Sequence, residues 1–265
     1  MKTYISVDIE GVAGITHWDE ANKAHADYPE FREQMTKEAL AAIEGAKAAG
    51  ATEIWVKDAH DSGRNLITSM LPEDVKIIRA WAGHPLCMVQ ELDESFAAVM
   101  MVGYHAAAGS EANSLAHTLS SDAVLVKLNG KPASEFLVHA LASSMLGVPT
   151  VFVTGDQGLM DEVKEINPAI TTCAVKQGRG QSTISMAPLG ALKAIRAGAE
   201  KALKGDLKKA LLQVPKHTVI EITYGNPNLA YRHSWYPGCK HIGNRTIRFE
   251  TDDYFDALRM LNYVT

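Results

Sequence analysis

The residues best suited to chemistry stand directly after apolar runs. Asp8 and Glu10 follow Tyr4-Ile5-Ser6-Val7, His60 follows the run from Glu53 to Lys57, and His105 closes the run that begins at Ala97. If Asp8 to Glu10 is extended, the two carboxylates point to the same side. Pressed together they raise one another's pKa, a conflict that a divalent cation removes. Carboxylates and imidazoles without thiolates suit zinc, manganese or cobalt. Three or four such ligands and one more carboxylate can hold two ions, and metals roughly 3.5–4 Å apart form a hydrolytic arrangement.

Each residue also has a plainer reading. A lone Asp-x-Glu after a strand is commonly a solvated turn. Asp58 and Asp61 fit that description, or a role holding His60. His17, His25, His84, His217, His233 and His241 read as structural or surface histidines. Glu135 opens a helix, where a carboxylate complements the helix dipole whether or not it meets a metal. His139 lies on the same helix face and could be a ligand, but reads better as packed or as supporting one. The case for a shared metal is coincidence: Asp8, Glu10, His60 and His105 all sit where strands end.

These strands and their helices set the expected fold. Tyr4–Val7, Glu53–Lys57, Val75–Ile78, Ser95–Gly103 and Thr150–Thr154 read as short buried strands. Glu30–Ala49 has helical apolar spacing and stops at Gly50. A helix starts near Glu135, and another runs to Ile166. The predicted class is α/β, a mostly parallel sheet with helices on both faces. Ligands of such sheets bind beyond the carboxyl ends of the strands. Ala106–Asp122, small and polar and containing His117, reads as a long loop of roughly 15 residues, a length often functional. Asn129-Gly130 marks a tight hairpin turn, and Gln177–Ser182 reads as a mobile loop. Residues 1–180 are expected to form the metal-binding catalytic domain, and 181–265 a smaller, less regular C-terminal α/β portion.

Composition excludes several partners. The formal net charge of −5 offers no broad basic surface to nucleic acid. No stretch is apolar for long enough to cross a membrane, and Asp8 and Glu10 interrupt any leader-like run. Cys87, Cys173 and Cys239 are odd in number and far apart. They form neither a disulfide framework nor a zinc knuckle, which fits a reducing, cytoplasmic setting.

Six ordered blocks carry a resemblance. Ser6-Val7-Asp8-Ile9-Glu10-Gly11, Asp58-Ala59-His60-Asp61-Ser62, Gly103-Tyr104-His105-Ala106, Ala116-His117-Thr118, Asn129-Gly130-Lys131-Pro132 with Glu135, and Val153-Thr154-Gly155-Asp156 resemble the D-aminopeptidase family of zinc metallopeptidases. Ala174-Val175-Lys176-Gln177 matches as well, and the likeness is strongest over residues 1–180. The resemblance implies two Zn2+ per subunit, with Mn2+ or Co2+ as substitutes. Asp8 would bridge them, Glu10 and His60 completing one site and His105 and Glu135 the other. It further implies that His117 is catalytic and that the chain forms a homo-oligomer, a decamer of two pentameric rings. The substrate would be a short peptide or aminoacyl amide with a D-residue at its amino terminus. Two other readings compete: a two-metal amidase or phosphoesterase, for which Lys57, Arg64 and Arg79 are near in sequence, and a non-catalytic metal-binding assembly protein.

Overall fold

A computed structural model describes residues 1–265. The chain begins with β1 (Lys2–Val7), α1 (Trp18–Ala21), α2 (Tyr28–Ala48), β2 (Glu53–Asp58), β3 (Val75–Ile78) and β4 (Ala98–Tyr104). Next come β5 (Ala123–Leu128), β6 (Lys131–Pro132), α3 (Glu135–Met145), β7 (Thr150–Asp156), α4 (Gln157–Ile166), β8 (Thr171–Arg179), β9 (Ser182–Ser185) and α5 (Pro188–Lys204). It ends with β10 (Thr218–Tyr224), α6 (Pro227–His233), β11 (Lys240–Gly243), β12 (Thr246–Thr251) and α7 (Tyr254–Val264).

Seven strands form one sheet in the order β3-β2-β1-β4-β7-β8-β9, parallel except for the β8–β9 hairpin. Central β4 is buried at every position, which is why its sequence is apolar without alternation. Helices flank this sheet. α2 carries Pro29 in its first turn and stops before Gly50, whose φ of +91° suits glycine. α3 starts where Ser134 Oγ accepts the Leu137 N–H at 3.1 Å, so Glu135 is its first residue.

The remaining strands form an antiparallel sheet, β11-β12-β10-β5-β6. It takes β5 and β6 from the middle of the chain, so the two sheets do not divide at residue 180. One continuous core joins them, with Val126, Ile220 and Ile222 in the same cluster as Val7, Val102 and Val153. No helix is long and apolar enough to cross a membrane.

The segment expected as a mobile loop, Gln177–Ser182, is instead a hairpin with only Gly180-Gln181 between its strands. Its glycines misled the reading. Gly178 serves close approach, its N–H donating to Ala112 O at 2.8 Å where a Cβ would collide with that carbonyl.

Strand order reverses beside β1: β2 and β3 lie on one side, and the chain then returns to place β4 on the other. Such a reversal opens a crevice at the carboxyl ends. Here the backbones close up tightly. Gly11 and Gly155 bracket the Tyr104 carbonyl, and a Cβ on either would overlap its oxygen. Gly103, at φ +72°, abuts the Asp8 carbonyl in the same way.

Candidate metal centre

The crevice gathers all six expected residues. β1 ends at Val7, and the chain then turns, with Val12 N–H donating to Ile9 O at 3.0 Å. Asp8 and Glu10 therefore converge through a turn, and not through the extended pleat expected from their spacing. Asp8 divides its carboxylate between two histidines. Oδ1 is 3.4 Å from His60 Nδ1 and Oδ2 is 3.5 Å from His105 Nε2. His60 Nδ1 is also 3.0 Å from Glu10 Oε1, and His105 Nε2 is 3.4 Å from Glu135 Oε2. The other Glu135 oxygen is 3.5 Å from His117 Nε2. The possible ligand atoms of Asp8, Glu10 and His105 lie within 4.8 Å of one another, as do those of His105, His117 and Glu135.

Hydrogen bonds on the far side of each ring decide what the near side offers. His60 Nε2 faces Ala21 O at 2.8 Å, His105 Nδ1 faces Ala106 O at 3.0 Å, and His117 Nδ1 faces Leu115 O at 3.0 Å. A carbonyl only accepts, so each of those nitrogens carries the proton. A neutral ring then turns a lone pair toward carboxylates. Such an all-acceptor centre needs cationic charge, and a ligating histidine whose other nitrogen donates to a carbonyl is how proteins orient metal ligands. Two buried atoms, His105 Nε2 and Glu10 Oε2, have no hydrogen-bond partner. The residues present fit a metal centre.

The electrostatics register the same demand for positive charge, which the buried carboxylates here impose on the imidazoles. Burial pushes the Asp8 carboxyl well above its ordinary range, and the neighbouring Glu10 charge adds to it. Burial also opposes ionisation of Glu10, but His60 outweighs it and holds that carboxyl well below the usual range. Against burial, His105 and His117 hold Glu135 at about 2. Against burial again, Glu135 and Asp8 push His105 up to about 10, while Glu10 and Asp8 raise His60 well above its ordinary value.

Neighbouring residues sort themselves by contact. Asp58 is neither solvated nor bonded to the His60 ring. Its carboxylate accepts Leu66 N–H at 2.7 Å and Asn65 Nδ2 at 2.8 Å, and Asn65 Nδ2 in turn reaches His60 O at 2.6 Å, fixing the loop that carries His60. His139 is packed, with Nδ1 donating to Glu135 O at 2.7 Å, and burial keeps it neutral by lowering its pKa. Lys57 is buried and gives its protons to Asp58 O and Ala80 O. Arg64 and Arg79 are exposed, and no lysine or arginine lines either cavity that opens on the cluster. The basic side chains that a phosphoesterase would need are absent from the centre.

Four contributors went unread in the sequence. Trp18 packs edge-on against His117, with ring centres 5.2 Å apart, and His117 stacks on His105 at 4.3 Å and 12°. Asn113 Nδ2 donates to Glu10 O and to Asp156 Oδ2, each at 3.0 Å, and Asp156 Oδ2 accepts Ala106 N–H at 2.8 Å. Lys176 completes that network from below. Only the match of Asp156 and Lys176 to the resembling blocks hinted at either residue.

The chain is similar to known proteins along its whole length. The sequence profile of the D-aminopeptidase family matches residues 1–263. A Bacillus subtilis (strain 168) protein named D-aminopeptidase is 30% identical over 269 residues, spanning 100% of this chain and 97% of its own length. A solved structure described as "Zn-dependent D-aminopeptidase DppA from Bacillus subtilis, a self-compartmentalizing protease" aligns with a TM-score of 0.94 at 28% identity, over 100% of this chain and 96% of that one. The chain belongs to the D-aminopeptidase family and is an enzyme that acts on peptide bonds.

Proposed function

We propose that the chain is a two-zinc aminopeptidase that releases the amino-terminal residue of short peptides or aminoacyl amides bearing a D-residue at that end. The observation that carries this reading is the split Asp8 carboxylate, one oxygen toward His60 and the other toward His105. Asp8 would bridge the two ions, with Glu10 and His60 on one side and His105 and Glu135 on the other. The same ligand set accepts manganese or cobalt. Zinc held there supplies Lewis-acid charge, making a water more acidic and a carbonyl more electrophilic.

The chain's own groups would then order the reaction. His117 stands at the edge of the cluster with its side chain 15% exposed. Its Nδ1 is committed to Leu115 O, which leaves Nε2 free to take a proton from water and pass it to the departing amine, or to donate to a developing oxyanion. The carbonyls of Ala21 and Ala106 fix the His60 and His105 imidazoles. The self-compartmentalizing relative supports a homo-oligomer, the resemblance alone extends this to a decamer of two pentameric rings, and the cysteine pattern supports a cytoplasmic setting.

Metal analysis coupled to paired D- and L-aminoacyl amides tests the proposal. Two zincs per chain and cleavage of D-alanyl amide are expected. Exclusive cleavage of L-substrates, or a single tightly held ion in the active protein, overturns it.

A further inference from the structure

The two sides of the ligand cluster are held in different ways. His105 follows central β4, where Gly11 and Gly155 press main chain against the Tyr104 carbonyl. His60 follows β2, whose outer neighbour is the four-residue edge strand β3. No further strand lies beyond β3, so the segment that follows it needs another hold.

Lys57 supplies one. It is the residue of β2 that pairs with Ile78, the last residue of β3, and it is fully buried. Its ammonium donates to Asp58 O on its own strand and, at 2.9 Å, to Ala80 O beyond the end of β3. The Trp81 ring closes the remaining direction, with its centre 3.7 Å from Nζ. Both acceptors are neutral, and the ring offers only its face. A charge buried among such groups costs more than an apolar side chain of similar length. Packing alone therefore does not account for a lysine here, whereas fixing two separate segments from one atom does.

Those segments reach His60. Trp81 Nε1 donates to Asp61 O at 2.6 Å, one residue past His60. Ala80 N–H donates to Gly63 O, and Gly63 N–H to His60 O, each at 2.7 Å. A Cβ on Gly63 would meet the Ala80 main chain at 2.7 Å, so the two turns lie against each other. Asp61 at φ +40° and Ala80 at φ +59° hold left-handed backbone that residues with a Cβ seldom adopt. Such conformations persist only where their surroundings over-determine them. Lys57 binds the Ala80 carbonyl and Trp81 binds the Asp61 carbonyl, so each strained residue is tied by one of the pair. None of these hydrogen bonds reaches His105 or Glu135.

We propose that Lys57 and Trp81 are positioning residues that hold His60 for its ion, so that the Glu10–His60 position draws affinity from them and the His105–Glu135 position does not. The proposal rests on the two-zinc reading above and adds an asymmetry between the two positions.

The test titrates zinc into the metal-free full chain against a chromophoric chelator. Lys57→Met keeps most of the side-chain length and removes both the donors and the charge. One of two zinc equivalents is expected to weaken by about 10- to 100-fold, and the other by less than about twofold. A general loss of packing would not separate them. Trp81→Leu should act the same way. Trp81 is 36% exposed, so this variant carries the test if Lys57→Met does not fold. In a His60→Ala background, which already lacks that position, the same substitution should leave the remaining equivalent unchanged within about twofold. Equal weakening of both equivalents, weakening of neither, or a further loss in the His60→Ala background overturns the proposal. Wild-type protein that binds a single zinc overturns the two-zinc reading itself, a distinct outcome.

Discussion

The ammonium of Lys176 lies 2.6 Å from the carbonyl oxygen of Glu10. It also donates to Ile15 O at 3.0 Å and to Asn113 Oδ1 at 3.3 Å, so every direct acceptor is neutral. Burial lowers its pKa to about 8. Together with Asn113 and Asp156 it forms one hydrogen-bonded path from Glu10 to the residue after His105. Lys176→Met keeps the length of the side chain and removes the donors. The expected result is a 10- to 100-fold loss of zinc affinity, roughly what supporting groups contribute elsewhere, with circular dichroism unchanged. Competition against a chromophoric chelator measures it, and wild-type affinity would remove Lys176 from the centre.

Asp8→Asn keeps the shape of the side chain but halves its use as a ligand. Because each Asp8 oxygen faces a different histidine, both ions should be lost together after dialysis, with activity. Retention of one full equivalent in the variant contradicts a bridging role.

His117→Ala should keep its zinc and lose turnover by about 10²- to 10⁴-fold, the usual range for a proton-transfer group. Trp18 borders that ring, so Trp18→Ala should lower kcat about tenfold with little change in KM, and Trp18→Phe should restore most of it. A Trp18→Ala enzyme with wild-type kcat shows that the contact does not orient His117.

Glu38 makes stability depend on pH. Its Oε1 accepts Ala13 N–H at 2.8 Å and Gln34 Nε2 at 2.9 Å, Oε2 has no partner, and burial raises the carboxyl to about 7. In the unfolded chain it ionises near 4.5. Between those values folding takes up a proton, so stability falls as pH rises, by a total on the order of 3 kcal/mol once pH exceeds the folded value. Below the unfolded value the group contributes nothing. Glu38→Gln should therefore raise Tm by roughly 5 °C or more at pH 8 and change it little at pH 4.5. Thermal melts of both proteins across that window decide the matter, and an equal shift at both ends contradicts the assigned ionisation.

Residues that end strands were the readable part of the centre. Asp8, His60 and His105 each follow an apolar run, and a parallel sheet brings such ends together whatever lies between them. Glu10 reaches the cluster by a different route from the one its spacing suggests, since a turn and an extended pleat can both bring residues two apart to one side. Glu135 needed the resemblance, because a carboxylate at the first turn of a helix is written the same way whether it faces water or an ion. Lys176 was read only as a matching block, since one lysine in a strand normally marks a solvated edge. The antiparallel sheet was unreadable as a unit because β5 pairs with β10 across the intervening α/β elements.

Main chain meets main chain directly where the Tyr104 carbonyl lies between Gly11 and Gly155. No side chain separates these three segments, so the spacing of the main chain that carries Asp8, Glu10 and His105 is set by backbone contact. Drift in sequence can exchange the groups around the cations, but it has no gradual route to a wider or narrower gauge. Any larger residue at position 11 or 155 pries the crossover apart as a whole, and the centre holds its dimensions for as long as the topology does.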